Sequence, residues 1–231
     1  MSNQDQFSSN SESLLIENSP QEKEKIETEC EDIYRISQLP DALIVQILSR
    51  LSITYEFRTT ILSKHWQYFW TCVDNIIYEE EYGRSDNLIV HKIISLTDNV
   101  LPLLSCSSIK KLNLNFVFIY DDGLSYFPKI DKWLEFAMKK KVEDLRMNIR
   151  YTVDPTEHDQ PYSLPEVLCS SSSILKLNCE KCRILEDCIL NWTSMKSLTL
   201  EDLFLLDEHI KKIMLNCPQL ESLKLHDILW F

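Results

Sequence analysis

From Ile33 onward the chain alternates between two kinds of hydrophobic spacing. Over "ISQLPDALIVQILSRLS" the apolar residues Leu43, Ile44, Ile47, Leu48 and Leu51 fall at i, i+1, i+4, i+5 and i+8, the stripe of an amphipathic helix. Pro40 suits the first turn of that helix, and Asp41 suits the positive end of its dipole. A polar break at Ser52–Thr54 follows. "EFRTTILSKHWQYFW" then returns to helical spacing, with Leu62, Trp66, Phe69 and Trp70 on roughly one face. These patterns predict two or three short helices in about 40 residues, a module marginal by itself that needs a partner or a neighbouring domain to complete its burial.

After Gly83 the period shortens to two, and a phrase repeats. L-x-L recurs as Leu112-Asn-Leu114, Leu145-Arg-Met147, Leu175-Lys-Leu177, Leu198-Thr-Leu200 and Leu223-Lys-Leu225, at intervals of 33, 30, 23 and 25 residues. An apolar residue stands three before the first position in four of them (Ile109, Val142, Met195, Leu220), whereas the third has Ser172 there. Alternation of this kind predicts short strands buried on one side. Helix-like pieces such as "IDKWLEFAMKKK" and "LLDEHIKKIMLNCPQL" lie between them. One strand and one returning segment per unit predict a short, irregular α/β solenoid, an α+β chain with a small helical module at its N-terminal side. The expected divisions are a disordered acidic tail over 1–33, the helical module over 34–80, and repeats over 81–231.

Charge modifies this picture. Lys+Arg is 24 against Asp+Glu 36, a net charge of −12, which opposes general nucleic-acid binding because that rests on neutralising phosphates. Much of the excess sits in the first 32 residues, which read as disordered. The opening "MSNQDQFSSNSES" has neither a basic nor an apolar signal region, and no apolar run reaches the ~18–20 residues that span a bilayer. The eight cysteines are therefore expected as reduced thiols, in the cytoplasm and/or nucleus.

Candidate chemistry is sparse. Two glycines, Gly83 and Gly123, with no G-x-G and no G-K-[ST], exclude phosphate-cradling loops. Cys179-x-x-Cys182 with Cys188 nearby lacks the second close pair of a structural zinc site, so these thiols are expected to pack as small hydrophobes. Glu157, His158 and Asp159 stand between Pro155 and Pro161, a setting for a solvated loop rather than a dry cleft. Ser107-x-x-Lys110 and Ser173-x-x-Lys176 lack the companion K-T-G of the nucleophile pattern. No catalytic residue, metal or cofactor is expected. The rings of Trp66, Phe69 and Trp70 are expected in the module's interior, at a partner interface, or both, rather than stacked on bases.

The stretch "ISQLPDALIVQILSRLS…FRTTILSKHWQYFW" resembles the F-box of plant proteins that continue into leucine-rich repeats. The Leu39-Pro40 pair, the stripe from Leu43 to Leu51, and Arg58-Thr59-Thr60-Ile61-Leu62-Ser63-Lys64-x-Trp66-x-x-x-Trp70 carry the likeness. "WLEFAMKKKVEDL", "YSLPEVLCSSSSILKLNC", "WTSMKSLTLEDL" and "IMLNCPQLESLKL" look like that family's repeats, so the resemblance runs from about Ile36 to Phe231. It implies the substrate receptor of a cullin–RING (SCF-type) ubiquitin ligase, with a Skp-type adaptor, and through it cullin, on the F-box and a protein target on the repeats. It assigns to adaptor docking, or to the core directly behind, Leu39, Pro40, Leu43, Ile44, Ile47, Leu48, Arg58, Leu62, Ser63, Trp66 and Trp70.

Three positions depart from the family pattern. Ser52 stands where proline is usual, Glu56 where a small residue is, and His65 where arginine or lysine is. Glu56 and the neighbouring Phe57 ring are expected beside the docking face, where they would weaken it. The chain also stops just after a repeat strand, so it reads as shortened. The alternative is a repeat-based binding protein whose F-box-like module recruits no ligase. A third reading, an intracellular hydrolase, is disfavoured by the scarce glycine and the missing nucleophile motifs.

Overall fold

The structure is a computed structural model that describes residues 36, 38–62, 64–79, 94–95, 97–118, 120–151 and 161–230. The whole acidic tail over 1–33, Ser63, Gly83 and the Glu157–Asp159 group lie outside the described residues. The chain divides into two units, Met1–Leu39 and Pro40–Phe231. Of the first, only Ile36, Gln38 and Leu39 are described, and the Leu39 N–H donates to the Ile36 carbonyl at 3.3 Å. The second holds all the elements that follow.

Helix α1 spans Asp41–Leu48 and begins directly after Pro40, whose carbonyl accepts from the amides of Leu43 and Ile44. Ser49 ends it, its amide and its hydroxyl both donating to the Val45 carbonyl. Helix α2 spans Ile53–Arg58, and the Ser52 carbonyl takes its first amides, from Tyr55 and Glu56, at 2.9 Å each. Two 3-10 pieces follow, Thr59–Ile61 and Trp66–Cys72.

Six strands then form one parallel sheet in the order β1-β2-β3-β5-β7-β9: β1 (Asn75–Glu79), β2 (Lys111–Phe118), β3 (Asp144–Tyr151), β5 (Lys176–Glu180), β7 (Ser197–Glu201) and β9 (Ser222–His226). The register is constant. Ile76, Leu112, Leu145, Leu177, Leu198 and Leu223 align across the sheet, and two residues on Tyr78, Leu114, Met147, Cys179, Leu200 and Leu225 align. Successive side chains point to opposite faces, so these two rows build one apolar layer. They are buried in the first five strands and partly exposed in β9. The opposite rows carry residues such as Asn113, Arg146, Asn178 and Thr199, as in a solenoid whose sheet keeps one face in solvent.

This register corrects the third leucine phrase. The aligned pair is Leu177-Asn-Cys179, not Leu175-Lys-Leu177. The residue three before Leu177 is Ile174, fully buried, so the exception at Ser172 disappears. Leu175 instead works through its backbone. Its carbonyl accepts from the amides of Lys196 and Ser197, as the Asp74 carbonyl does from Lys110 and Lys111, and the Lys196 carbonyl from Glu221 and Ser222. The sheet also contains a strand that the leucine phrases did not mark. β1 carries Ile76-Ile-Tyr78, with the fully buried Val73 three residues ahead, and it extends the sheet into the 34–80 stretch.

The returning segments cover the apolar layer. Helix α3 (Tyr120–Lys139) buries Tyr126, Ile130, Trp133, Leu134 and Ala137, a stripe at i, i+4, i+7, i+8 and i+11. Trp133 stacks on Tyr78 at 6.4 Å between ring centroids and lies 5.7 Å from Phe116, joining α3 to β1 and β2. Helix α4 is a single turn, Glu166–Cys169, and α5 spans Asp207–Asn216. The Trp192 Nε1–H donates to the Leu168 carbonyl at 2.8 Å inside this layer. Two short parallel pairs flank the sheet: β4 (Tyr162–Ser163) with β6 (Cys182–Arg183), and β8 (Phe204–Leu205) with β10 (Leu229–Trp230).

A candidate protein-docking surface on the N-terminal helices

The apolar stripe of α1 is split between two environments. Ile44 and Leu48 are fully buried, whereas Leu43 and Ile47 are 45% and 42% exposed. Ile53, Trp66, Trp70 and Val73 are buried too, α1 lies against the second 3-10 piece, and these residues make up the module's small core. Eight residues of helix cannot turn five apolar positions to one core this small, so the outer pair faces solvent.

The second aromatic stretch departs from its expected form. It is not one continuous helix but contains two separate 3-10 pieces, and Leu62 does not share the burial of Trp66 and Trp70. Both tryptophans are buried, while Leu62 is exposed and its neighbour Ile61 is 85% exposed. Leu62 lies beyond the end of the first piece, so no continuous helix carries its face on to Trp66 and Trp70.

Of the residues assigned by resemblance, Pro40, Leu43, Ile47, Arg58 and Leu62 are exposed and Leu39 is half-buried. Ile44, Leu48, Trp66 and Trp70 form core, and Ser63 lies outside the described residues. Reasoning from spacing missed Tyr55, Ile61 and Tyr68, which also expose large apolar surface. Among the described residues, 43–68 thus carry six such side chains, Leu43, Ile47, Tyr55, Ile61, Leu62 and Tyr68, whereas seven are spread over 101–230. Concentrated exposed apolar groups on a short helical module mark a binding surface, where single scattered ones mark nothing. Tyr and Arg enrichment fits the same use, and the Arg58 guanidinium lies 5.5 Å from the centre of the Tyr55 ring.

The departures from the family pattern behave differently from one another. His65 Nε2 is 3.2 Å from Asp41 Oδ1, which fastens the start of α1 to the residue before the second 3-10 piece. The His65 ring also meets Phe69 edge-on at 5.2 Å. Glu56 is not a surface carboxylate. Its side chain is fully buried, and neither carboxyl oxygen has a hydrogen-bond partner among the described residues. Burial alone lifts its pKa to about 8, so the group sits in the core as a neutral acid at neutral pH. The Tyr78 hydroxyl is also pushed upward, mainly by burial, with the charges of Glu56 and Asp98 adding and the nearby Thr97 hydroxyl opposing. The Phe57 side chain lies outside the described residues.

Most of the cysteines resolve as packing. Cys169, Cys179, Cys182 and Cys217 are buried free thiols, and burial raises the pKa of Cys169, Cys188 and Cys217. The Cys179 thiol is raised chiefly by its hydrogen bond with Cys182. Among the described residues no group of three or more His, Cys, Asp or Glu is arranged to hold a metal ion. No described helix is long and apolar enough to cross a membrane.

An exposed apolar surface on short helices that lead directly into a parallel leucine-repeat sheet defines an F-box/leucine-rich-repeat protein. The sequence profile of the F-box domain matches residues 36–78, and that of the At1g61320/AtMIF1 LRR domain matches residues 100–228. The chain belongs to the plant F-box/LRR-repeat family. It is 30% identical to the Arabidopsis thaliana F-box protein At1g49610 over 198 residues, 85% of this chain and 45% of that protein. Identity with F-box/LRR-repeat protein 25 of the same plant is 29% over 191 residues, 82% of this chain and 66% of that protein. With F-box/FBD/LRR-repeat protein At2g04230, also from that plant, it is 27% over 213 residues, 88% of this chain and 45% of that protein. The chain therefore spans less than half the length of two of these three relatives.

Proposed function

We propose that this chain is the substrate-recognition subunit of an SCF-type cullin–RING ubiquitin ligase. Its helical module docks a Skp-type adaptor, and through it cullin, while the repeat region receives a protein target. The role is non-catalytic. It raises the local concentration of a target lysine near the conjugating enzyme, which converts an encounter between free molecules into one within an assembly. Work in the cytoplasm and/or nucleus accords with the free thiols at all seven described cysteines.

The observation that carries this reading is the outward pair on α1. Leu43 and Ile47 stand one turn apart in solvent while the core is completed by Ile44 and Leu48 behind them. The rival reading, a repeat protein with no ligase role, draws on Glu56, Phe57 and the short chain; the burial of Glu56 takes its carboxylate off the surface and favours the docking reading. Hydrogen exchange on the chain with and without purified Skp-type adaptor tests the proposal. Slowed exchange concentrated in residues 41–62 is expected; unchanged exchange there leaves the repeat-only reading.

A further inference from the structure

A cavity of about 440 Å³ opens between α3 and the segment Thr97–Pro102, and none of its lining residues is among the exposed apolar ones of the helical module. This volume lies within the ~300–1,000 Å³ range of small-molecule sites. Its back is apolar, formed by Leu101, Trp133 and Phe136, and its charged lining is unbalanced: Asp98 against Lys129, Lys132 and Lys139. Each oxygen of Asp98 already has a donor. Its Oδ2 accepts from Lys129 Nζ and its Oδ1 from Trp133 Nε1, each at 2.8 Å. Lys132 and Lys139 have no ion-pair or hydrogen-bond partner among the described residues.

Both ends of the cleft are fastened. The Asp98 contacts hold one end of the 97–102 wall to α3. At the other, Lys140 Nζ donates to the carbonyls of Leu104 at 3.3 Å and Cys106 at 2.7 Å. A wall pinned at both ends needs little ordering when a ligand enters, which lowers the cost of binding. Lys132 and Lys139 are seven residues apart, so they lie on one face of α3 and about 10 Å apart along its axis. Phe136 stands between them on that face.

We propose that this cleft binds an elongated small organic dianion. Its two anionic groups meet Lys132 and Lys139, and its flat apolar body lies on Phe136 and Leu101. Among the described residues neither ammonium group has a partner, and the two stand at the ends of an apolar shelf in a chain of net charge −12. A neutral apolar ligand would leave both cations unused, and a compact inorganic anion would reach one lysine and none of the rings.

The test is titration of the full chain, labelled with ¹⁵N, with naphthalene-2,6-dicarboxylate, its uncharged diamide, and a short polyglutamate peptide. The dicarboxylate is expected to shift the amides of 97–103 and 129–139 saturably. The diamide and the Lys132→Ala/Lys139→Ala variant should each weaken binding by about tenfold, as expected for two solvent-facing ion pairs. Both lysines are exposed, and the variant's unchanged unfolding temperature checks that it folds. Equal binding of the diamide, no loss in the variant, or no saturable shift overturns the proposal. So does a peptide that binds more tightly than the dicarboxylate, which would make the cleft a protein contact.

Discussion

Lys181 Nζ lies 3.2 Å from Asp202 Oδ2, and the two residues occupy the same place in adjacent repeats, one residue beyond β5 and β7. Both have left-handed backbones, with φ of 56° and 52°, as does Asp227 one residue beyond β9, at 49°. Here the chain turns from the main sheet toward the short flanking strands. A glycine would adopt this conformation without strain, yet the chain has only two. Aspartate tolerates it better than lysine. Replacing Lys181 by glycine should therefore stabilise the chain by about 1 kcal/mol, since relief of a ~1–2 kcal/mol backbone cost outweighs an exposed ion pair worth ~0–1 kcal/mol. Urea unfolding of Lys181→Gly against wild type reads this directly, and a lower midpoint would show that the ion pair dominates.

The two halves of the α1 stripe should respond oppositely to truncation. Ile44→Ala or Leu48→Ala opens a cavity in a sealed core and should cost ~2–5 kcal/mol of stability. Leu43→Ala and Ile47→Ala, already solvated, should stay within about 0.5 kcal/mol of wild type. Thermal unfolding of the four single variants distinguishes the pairs. Equal losses across all four would mean that α1 buries both faces.

Glu56 makes stability depend on pH in a definite direction. Its pKa rises from 4.5 to about 8 on folding, so between those values the native chain keeps a proton that the unfolded chain releases. Stability then falls as pH rises from about 4.5 to about 8 and levels beyond, with a total loss of a few kcal/mol from this group. Glu56→Gln removes the ionisation and should flatten that part of the profile, leaving the variant more stable than wild type at pH 8. The check is a series of urea midpoints from pH 5 to 9; parallel profiles for the two proteins would place the Glu56 carboxyl in water.

Legibility in the sequence followed the residue types used. Where leucine filled both inward places, as in Leu112-Asn-Leu114 and Leu198-Thr-Leu200, period-two reading found the strand and its register. Where Cys179 took the second place, a leucine two residues early displaced the phrase. Leu177-Asn-Cys179 does not match L-x-L, whereas Leu175-Lys-Leu177 does, although cysteine fills the inward place as a small hydrophobe. β1 escaped because Ile76 and Tyr78 follow an aromatic run with helical spacing, and nothing local separates the last 3-10 turn from the strand. Glu56 misled for a different reason. An unpartnered carboxyl normally prefers water, and only the packing of α2 reveals that this one is held neutral inside. The exposure of Leu43, Ile47 and Leu62 was likewise beyond periodicity, which identifies apolar faces but not which of them lacks a partner within the chain.

The central claim, that the outward apolar residues of the helical module dock a Skp-type adaptor, is tested most directly by titration calorimetry of the purified adaptor into wild-type chain and into Leu43→Asp/Ile47→Asp. Truncating central interface residues typically costs ~2 kcal/mol or more, and a buried unpaired charge adds to that. Wild type should bind at one site, and the double variant, with its fold intact by circular dichroism, should bind at least about thirtyfold more weakly. No binding by the wild-type chain, or equal binding by the variant, would contradict the account.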